Sequence, residues 1–449
     1  MTLFSPLMQR SCRRRGKRST HSACARLVVE PMEDRTVPAI LHVGPGEPYA
    51  TIQAAVNATH PHDTVKVDAG VYQEQLTINK SISVVGDGAS TVILAPSSLV
   101  SPTPANPDAI VRVTGSGVHA LIEHFTIEGA ARGTPNLYYG IRIDGNAAAE
   151  IEHNVITNII DASDSTLGVA IDVGNSVGSA DGTGDQVGAA KIEHNTIDNY
   201  QRAGIVINHG GSFAEVQSNK ITGMGANSAT NQTGVEISNG AVAKVESNAV
   251  SGNANPTLPV SAGAGILLVQ PGAMRLSGGD GDQGDFQITE VSGNKLSDND
   301  YGIFGDTVTP SFGDQTISAD IENNGISGST FVGIEFDNSS AVFIHDNNLF
   351  GNGSGNPADG GIYLFNSTNN TLAENVSKNN QGSGITLDSN STGNTLRNNR
   401  LTGNVFSDAN QSADAVDLSS GTGTSGTANC WIDNHGKTFI DNSDLTLFV

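Results

Sequence analysis

Glutamate and histidine stand side by side three times in this chain, as Glu123–His124, Glu152–His153 and Glu193–His194, each pair following an isoleucine. A carboxylate beside an imidazole is a unit of metal binding and of acid/base catalysis. If the three pairs stack on neighbouring levels, carboxylates about 5 Å apart repel, which raises their pKa or invites a cation. Duplication of a unit that keeps its exposed letters gives the same pattern with no chemistry. Later units carry Gln-Ser, Glu-Ser, Ser-Gly and Arg-Asn at this place, which favours duplication.

A second set of reactive side chains lies on a Gly-aliphatic-x-aliphatic motif. It occurs as "GIRI" (140), "GVAI" (168), "GIVI" (204), "GVEI" (234), "GILL" (265), "GIEF" (333), "GIYL" (361) and "GITL" (384), with looser copies "GIFG" (302) and "AVDL" (415). Alternation along a strand points its x position outward. The outward row then reads Arg142, Ala170, Val206, Glu236, Leu267, Phe304, Glu335, Tyr363, Thr386 and Asp417. Arg142, Glu236 and Glu335 are its candidates for proton transfer, and Phe304 and Tyr363 are rings on which a sugar could stack. Just past these strands come Asp144, Asp172, Asp306 and Asp337, hard oxygen donors of the kind calcium takes. Aspartate is also the ordinary residue of a turn after a strand.

Three long Gly/Asp-rich inserts share the triplet "GDQ", at 184–186, 281–283 and 313–315. Long loops in compact folds are often functional, but Gly/Asp-rich inserts of this kind are more often solvated loops. "GGDGDQGD" is a loose match to a calcium-binding nonapeptide, with Gln283 where an aspartate is needed.

The elements that must position these groups follow from the repeat. Aligned on aliphatic-x-x-Asn-x-aliphatic, the centres are Phe125, Asn154, Asn195, Asn219, Asn248, Asn294, Asn324, Asn347, Asn375 and Asn399. Their spacings are 29, 41, 24, 29, 46, 30, 23, 28 and 24, a unit of 23–24 with inserted loops. The third residue before each centre is always aliphatic, and the second after it is aliphatic except at Ser377. Strands this short cannot bury themselves alone, so the coils must stack. The sequence predicts an all-β chain, a single-stranded parallel β-helix of about a dozen coils, with inward Asn bonding between levels.

Composition agrees. Aromatics are only 5% and glycine is 53 of 449, which suits thin layers of Val and Ile closed by Gly and Asn turns. Residues 1–39 read as a basic leader, 40–449 as the β-helix, 49–58 as a capping helix, 110–420 as regular coils, and 421–449, with Trp431, as the closing segment. The leader to residue 35 holds eight Lys/Arg and three acids, and the rest holds 15 basic and 43 acidic residues. An acidic body repels nucleic acid and suits neutral glycans, or acidic glycans bridged by cations. Three cysteines, two of them in the leader, make no disulfide framework. No apolar run reaches the roughly 18–20 residues of a membrane span.

The leader segment "RLVVEPMEDRTVPA" resembles the "LEPLEDR…PA" start of many planctomycete proteins thought to be exported, which implies an extracellular or cell-surface location. "TIQAAVNA…DTVKVDAGVYQEQLTINKSISVVGDG" and the Asn and "GI" repeats resemble right-handed β-helix proteins of the pectin-lyase-like group. The resemblance covers about 40–449. It implies the right-handed hand and a polysaccharide partner, and leaves activity open between lyases, esterases, epimerases, hydrolases and binding proteins. "GVYQE" (70–74) matches the "GxYxE" of pectin methylesterases, and "DYGIFGD" (300–306) only faintly echoes one of their aspartate contexts. The hydrolases' "GHG" and "RIK" and the epimerases' "DPHE" are absent, with "HPHD" (60–63) the nearest string. In lyases of this fold, calcium on carboxylates neutralises the uronate and an Arg or Lys takes the C5 proton, which would give Asp144, Asp172, Asp306, Asp337 and Arg142 those roles. Three readings follow: an exported or surface protein that binds polysaccharide, with or without processing it, a calcium-dependent lyase, and a structural or adhesive protein without catalysis.

Overall fold

Ile122, Ile151, Ile192, Val216 and Val245 stand in one column, Cα opposite Cα on successive parallel strands. That column is the inner row of sheet 1, and it continues through Val291, Ile321, Ile344, Leu372 and Leu396 to Trp431. In the computed structural model, residues 37–97, 99, 109–130, 137–161, 167–174, 187–226, 231–255, 263–275, 286–353, 360–404 and 413–441 are described. The described fold belongs to the unit 38–449. The basic leader to residue 36, with Cys12 and Cys24, lies outside the described residues.

Each coil visits three sheets in turn. Ala147–Glu152 lies in sheet 1, Val155–Thr157 in sheet 2 and Val169–Val173 in sheet 3. Sheet 1 has 14 strands, sheet 2 has 12 and sheet 3 has 13, all parallel. Fourteen levels at the usual strand spacing make a rod about 60 Å long. The inner rows of Ile, Val and Leu form one continuous buried core. The fold is all-β, a β-helix solenoid with one short helix near its start.

The bend between sheets 1 and 2 explains the Asn repeat. The residue before each inward centre holds a left-handed backbone, with φ of 63° at His124, before Phe125, and of 54° at His153 and 55° at His194, before Asn154 and Asn195. Asn and Gly tolerate this conformation most easily. The Asn that follows turns inward. Asn195 Oδ1 accepts from Asn154 N at 3.0 Å and from Asn154 Nδ2 at 3.2 Å, and Asn195 Nδ2 donates to Ile151 O at 2.8 Å. The pattern repeats from Asn154 through Asn219, Asn248, Asn294, Asn324, Asn347, Asn375 and Asn399 to Asn434. Ser377, the polar break in the inner row of sheet 2, is buried and donates to Gly384 O at 2.9 Å.

Both ends are closed. The helix Ile52–Ala58 covers the first coil with Ile52, Ala55 and Val56. It is three residues shorter than expected at its start, because Tyr49 pairs with Val43. Glu74 accepts from the helix N-terminal amides of Ile52 at 2.8 Å and Gln53 at 2.9 Å. Lys80 donates to Val56 O, Asn57 O and Thr59 O at the other end. A carboxylate at the start and an ammonium at the end both oppose the helix dipole. At the far end Trp431 packs edge-on to Phe439 with ring centroids 5.4 Å apart, and its Nε1 donates to Asp417 Oδ2 at 2.9 Å.

Candidate functional site on the outer face of sheet 3

The outer face of sheet 3 carries the sequence-derived candidates, in an order that differs from the one the motif gives. Arg142 stands opposite Asp172, not Ala170. The chain at 169–173 is displaced two residues from the "GI" alignment, so Asp172 belongs to the Arg142 row and Ala170 faces the core. At the last coil Thr386 pairs with Val416 and Leu387 with Asp417. A one-residue slip moves a side chain to the opposite face of a strand. Asp417 therefore points inward, fully buried, where it accepts from Trp431, Asn429 and Ser419.

The corrected outer row is Arg112, Arg142, Asp172, Val206, Glu236, Leu267, Phe304, Glu335, Tyr363, Thr386 and Val416. It divides into two halves. In the first half Asp144 is fully buried and held by two guanidinium groups, Arg142 Nη2 at 2.8 Å and Arg112 Nη2 at 3.0 Å. Arg142 also lies 5.4 Å above the Tyr139 ring. Glu236 accepts from Arg202 Nη2 at 2.6 Å and from Ser238 Oγ at 3.1 Å. These groups are committed to one another. A divalent cation at Asp144 would meet two fixed positive charges, so this pair does not fit calcium. Glu236 lies three coils from Glu335, about 14 Å, and Arg142 lies six coils away.

In the second half the face opens and four carboxylates gather. Asp306 pairs with Asp337 and Phe304 with Glu335 on adjacent coils. Asp337 pairs with Phe365 and Glu335 with Tyr363 on the next. Burial pushes the Asp337 carboxyl up to about 6, and the charges of Asp306 and Asp388 add to the rise, while a hydrogen bond with Glu335 opposes it. Asp306 Oδ1 accepts from Thr307 Oγ1 at 3.0 Å and Asn338 Nδ2 at 3.2 Å. Asp388 Oδ1 accepts from Asn366 N at 2.9 Å and Ser391 Oγ at 2.6 Å. Two buried polar atoms here, Asp337 Oδ1 and Thr386 Oγ1, have no hydrogen-bond partner among the described residues. Among the described residues, no three His, Cys, Asp or Glu groups are placed to share one metal ion.

Aromatic rings flank the carboxylates. Tyr301 lies 5.1 Å from Phe304 and 5.5 Å from Phe331, and Tyr363 lies 6.3 Å from Phe365. Phe365 is 42% exposed. Phe304 and Tyr363 stood out as x positions of the repeat; Tyr301, Phe331 and Phe365 flank that motif and were not singled out.

Other sequence candidates take structural places. Glu74 of "GVYQE" caps the helix, and its Tyr72 donates to Asp68 O at 2.9 Å. Asp300 of "DYGIFGD" accepts from Asn255 N at 2.6 Å and Gly263 N at 2.9 Å, a structural place between two backbone amides. Asp63 of "HPHD" accepts from Ala39 N and His60 N. Gln315 of the third "GDQ" folds back on its own loop, accepting from Ser311 N at 2.8 Å and donating to Ile317 O at 2.7 Å. The first two copies lie outside the described residues. His124, His153 and His194 do stack, with centroids 5.4 and 5.1 Å apart. Nitrogens of rings stacked this far apart cannot share an ion that binds at about 2 Å.

The fold is a right-handed parallel β-helix, a pectin-lyase-like fold. The family model described as right handed beta helix region matches residues 276–445. No curated protein matches the chain by sequence. Among solved structures, XylC in complex with xylose is similar with a TM-score of 0.51 at 12% identity, over 91% of this chain and 86% of that one. The Agl-KA catalytic domain is similar with a TM-score of 0.50 at 16% identity, over 88% of this chain and 64% of that one. The A-module of a mannuronan C-5 epimerase from Azotobacter vinelandii follows with a TM-score of 0.47 at 14% identity, over 88% and 95%. At these identities the likeness is one of fold.

Proposed function

We propose that the chain binds a polysaccharide along the outer face of sheet 3, between Tyr301 and Asp388, and cleaves it there with Asp337 and Asp306. One observation carries this reading. Exposed and half-buried rings lie beside buried, unpartnered polar atoms on four successive coils. Rings take the faces of sugars, and hydroxyl groups of a bound glycan would satisfy Asp337 Oδ1 and Thr386 Oγ1.

The carboxylates supply the chemistry. Asp337, neutral below about pH 6, can give its proton to a glycosidic oxygen as the C–O bond breaks. Asp306, about 5 Å away on the next coil, attacks the anomeric carbon as that bond breaks, and water, giving its proton to Asp337, then hydrolyses the glycosyl ester on Asp306. Elimination on a uronate polymer has less support, because Arg142 is ion-paired six coils away. Calcium remains a separate proposal, and no step here uses it. Export to the cell surface, through the leader, belongs to the same reading and is tested by locating the full chain in cell fractions.

The test is a panel of neutral and acidic polysaccharides with the full chain. New reducing ends on a neutral polymer, lost in Asp337→Asn, support the reading. Binding with no new ends reduces it to a binding protein. New ultraviolet absorbance of an unsaturated uronate on an acidic polymer replaces hydrolysis by elimination. No binding to any polymer overturns it.

A further inference from the structure

A hollow of about 870 Å³ lies on the outer face of sheet 1, away from the carboxylates of sheet 3. A run of small side chains makes it. One outward row of the sheet passes through His119, Ala148, Ala189 and Phe213 on four successive coils. Two alanines between larger residues leave the face sunken, and Leu121 of the neighbouring row adds to the apolar floor. His62, Ser81 and Ser83 stand at one end and Phe213 at the other. The hollow is thus a trough that crosses the strands. From the coil of Ser83 to the coil of Phe213 it spans five levels, about 19 Å.

One long side of the trough is polar. Glu150, Lys191 and Glu215 stand Cα opposite Cα along it. Lys191 reaches Glu193 at 2.9 Å. Glu150 and Glu215 are exposed and form no ion pair among the described residues. Beyond this row runs a further one, Glu123, Glu152, Glu193, Gln217 and Glu246, so the face as a whole is acidic.

We propose that the trough is a second glycan site, which holds a strand of neutral polysaccharide laid across the coils. A sugar is apolar on the faces of its ring and polar along its edge. The trough is divided the same way, with alanine, leucine and the Phe213 ring against the faces and the Glu150–Glu215 row beside the hydroxyl groups. Carboxylates accept from hydroxyl groups strongly. One sugar of an extended chain is roughly as long as one strand spacing, so about four sugars fill the length. The acidic rows repel an acidic polymer, and the Lys191 ammonium, midway between Glu150 and Glu215, opposes an evenly cationic one. An extended peptide finds no strand edge here, because the strands beneath the trough are paired on both sides. The site stands apart from any cleavage on sheet 3. Two faces that hold one polymer bind it with avidity.

Affinity electrophoresis of the full chain tests this, in gels that hold a neutral, an acidic or a cationic polysaccharide. The chain carries Asp337→Asn throughout, so that retardation reads binding without cleavage. Ala189→Phe fills the trough from an outward position, and Phe213→Ala removes its ring. Each should weaken binding of a neutral polymer about tenfold. Tyr301→Ala with Tyr363→Ala, on sheet 3, should leave a retardation that Ala189→Phe then abolishes. Thermal unfolding checks that each variant is folded. No retardation by any neutral polymer overturns the proposal. So does retardation by acidic or cationic polymers alone, or neutral-polymer retardation that folded Ala189→Phe and Phe213→Ala both leave unchanged. In that last case, new reducing ends made by the chain with Asp337 intact would uphold cleavage on sheet 3 while the trough falls. Retardation lost in Ala189→Phe, with no cleavage of any polymer, would uphold the trough alone.

Discussion

Asp306 and Asp337 stand Cα opposite Cα on adjacent parallel coils, with Glu335 bonded to the second of them. Two carboxylates on neighbouring levels of a half-buried face cannot both ionise freely. Burial and the neighbouring charges raise Asp337 above its ordinary value, to about 6. The pair therefore holds a proton at a pH where an isolated aspartate has none.

That relationship sets a pH dependence. A carboxyl raised in the folded state binds more protons folded than unfolded, so stability falls as pH rises between about 4 and about 6. Asp337→Asn removes the charge that is costly above this window. Allowing for solvent screening, the variant should be more stable than wild type by about 1–2 kcal/mol at pH 7, and no more stable at pH 3.5. Urea unfolding at the two pH values measures this. Cleavage of glycan, where wild type shows it, should fall at least a hundredfold.

The Asn ladder should be costly to break in its middle. Asn324 Oδ1 accepts from Asn294 N and Asn294 Nδ2, and Asn324 Nδ2 donates to Val291 O. Asn324→Ala leaves all three buried groups without this partner. A loss of about 3–5 kcal/mol is expected in equilibrium unfolding. Asn324→Asp, which keeps the acceptor and loses the donor, should also be destabilised at neutral pH, because it buries a charge.

Glu74 separates a cap from a catalyst. Glu74→Gln keeps one acceptor and should cost about 1 kcal/mol, and Glu74→Ala about 2 kcal/mol, by the loss of two helix N-terminal bonds. Neither should change glycan binding or cleavage, because the site lies at the other end of the rod. A large loss of activity in Glu74→Gln, with stability unchanged, would place the chemistry at the first coil instead.

Trp431 is the only tryptophan and closes the last coil. Its indole donates to buried Asp417. Asp417→Asn should weaken this end and shift the fluorescence transition to lower denaturant than the circular-dichroism transition, since coils touch only their neighbours. Coincident transitions would mean that the rod unfolds as one unit.

The fold was legible because the core is a column. Ile122, Ile151 and Ile192 must each be aliphatic, since each packs on its copy, and a stack of copies writes a period into the chain. A second Asn row, Asn253, Asn299, Asn352, Asn380 and Asn404, left a trace that the sequence reading missed. Each stands five residues after a ladder Asn, at 248, 294, 347, 375 and 399. The site was less legible. Outward residues answer to no packing partner, and the motif could not detect that 169–173 and 415–417 had slipped by two residues and by one.

The sequence by itself therefore determined the coil, its period, the inward rows and the caps, because burial imposes a repeating chemical demand on each inward residue. Only the tertiary structure decided which outward groups meet. Arg142 and Asp144 hold each other in one half of sheet 3, and Asp306, Glu335 and Asp337 converge with Tyr301 and Tyr363 in the other. Residues 30 apart in the chain become neighbours at strand spacing, and a register shift of one residue turns an outer aspartate into an inner one. That register is set by the loops between strands, whose lengths follow no period.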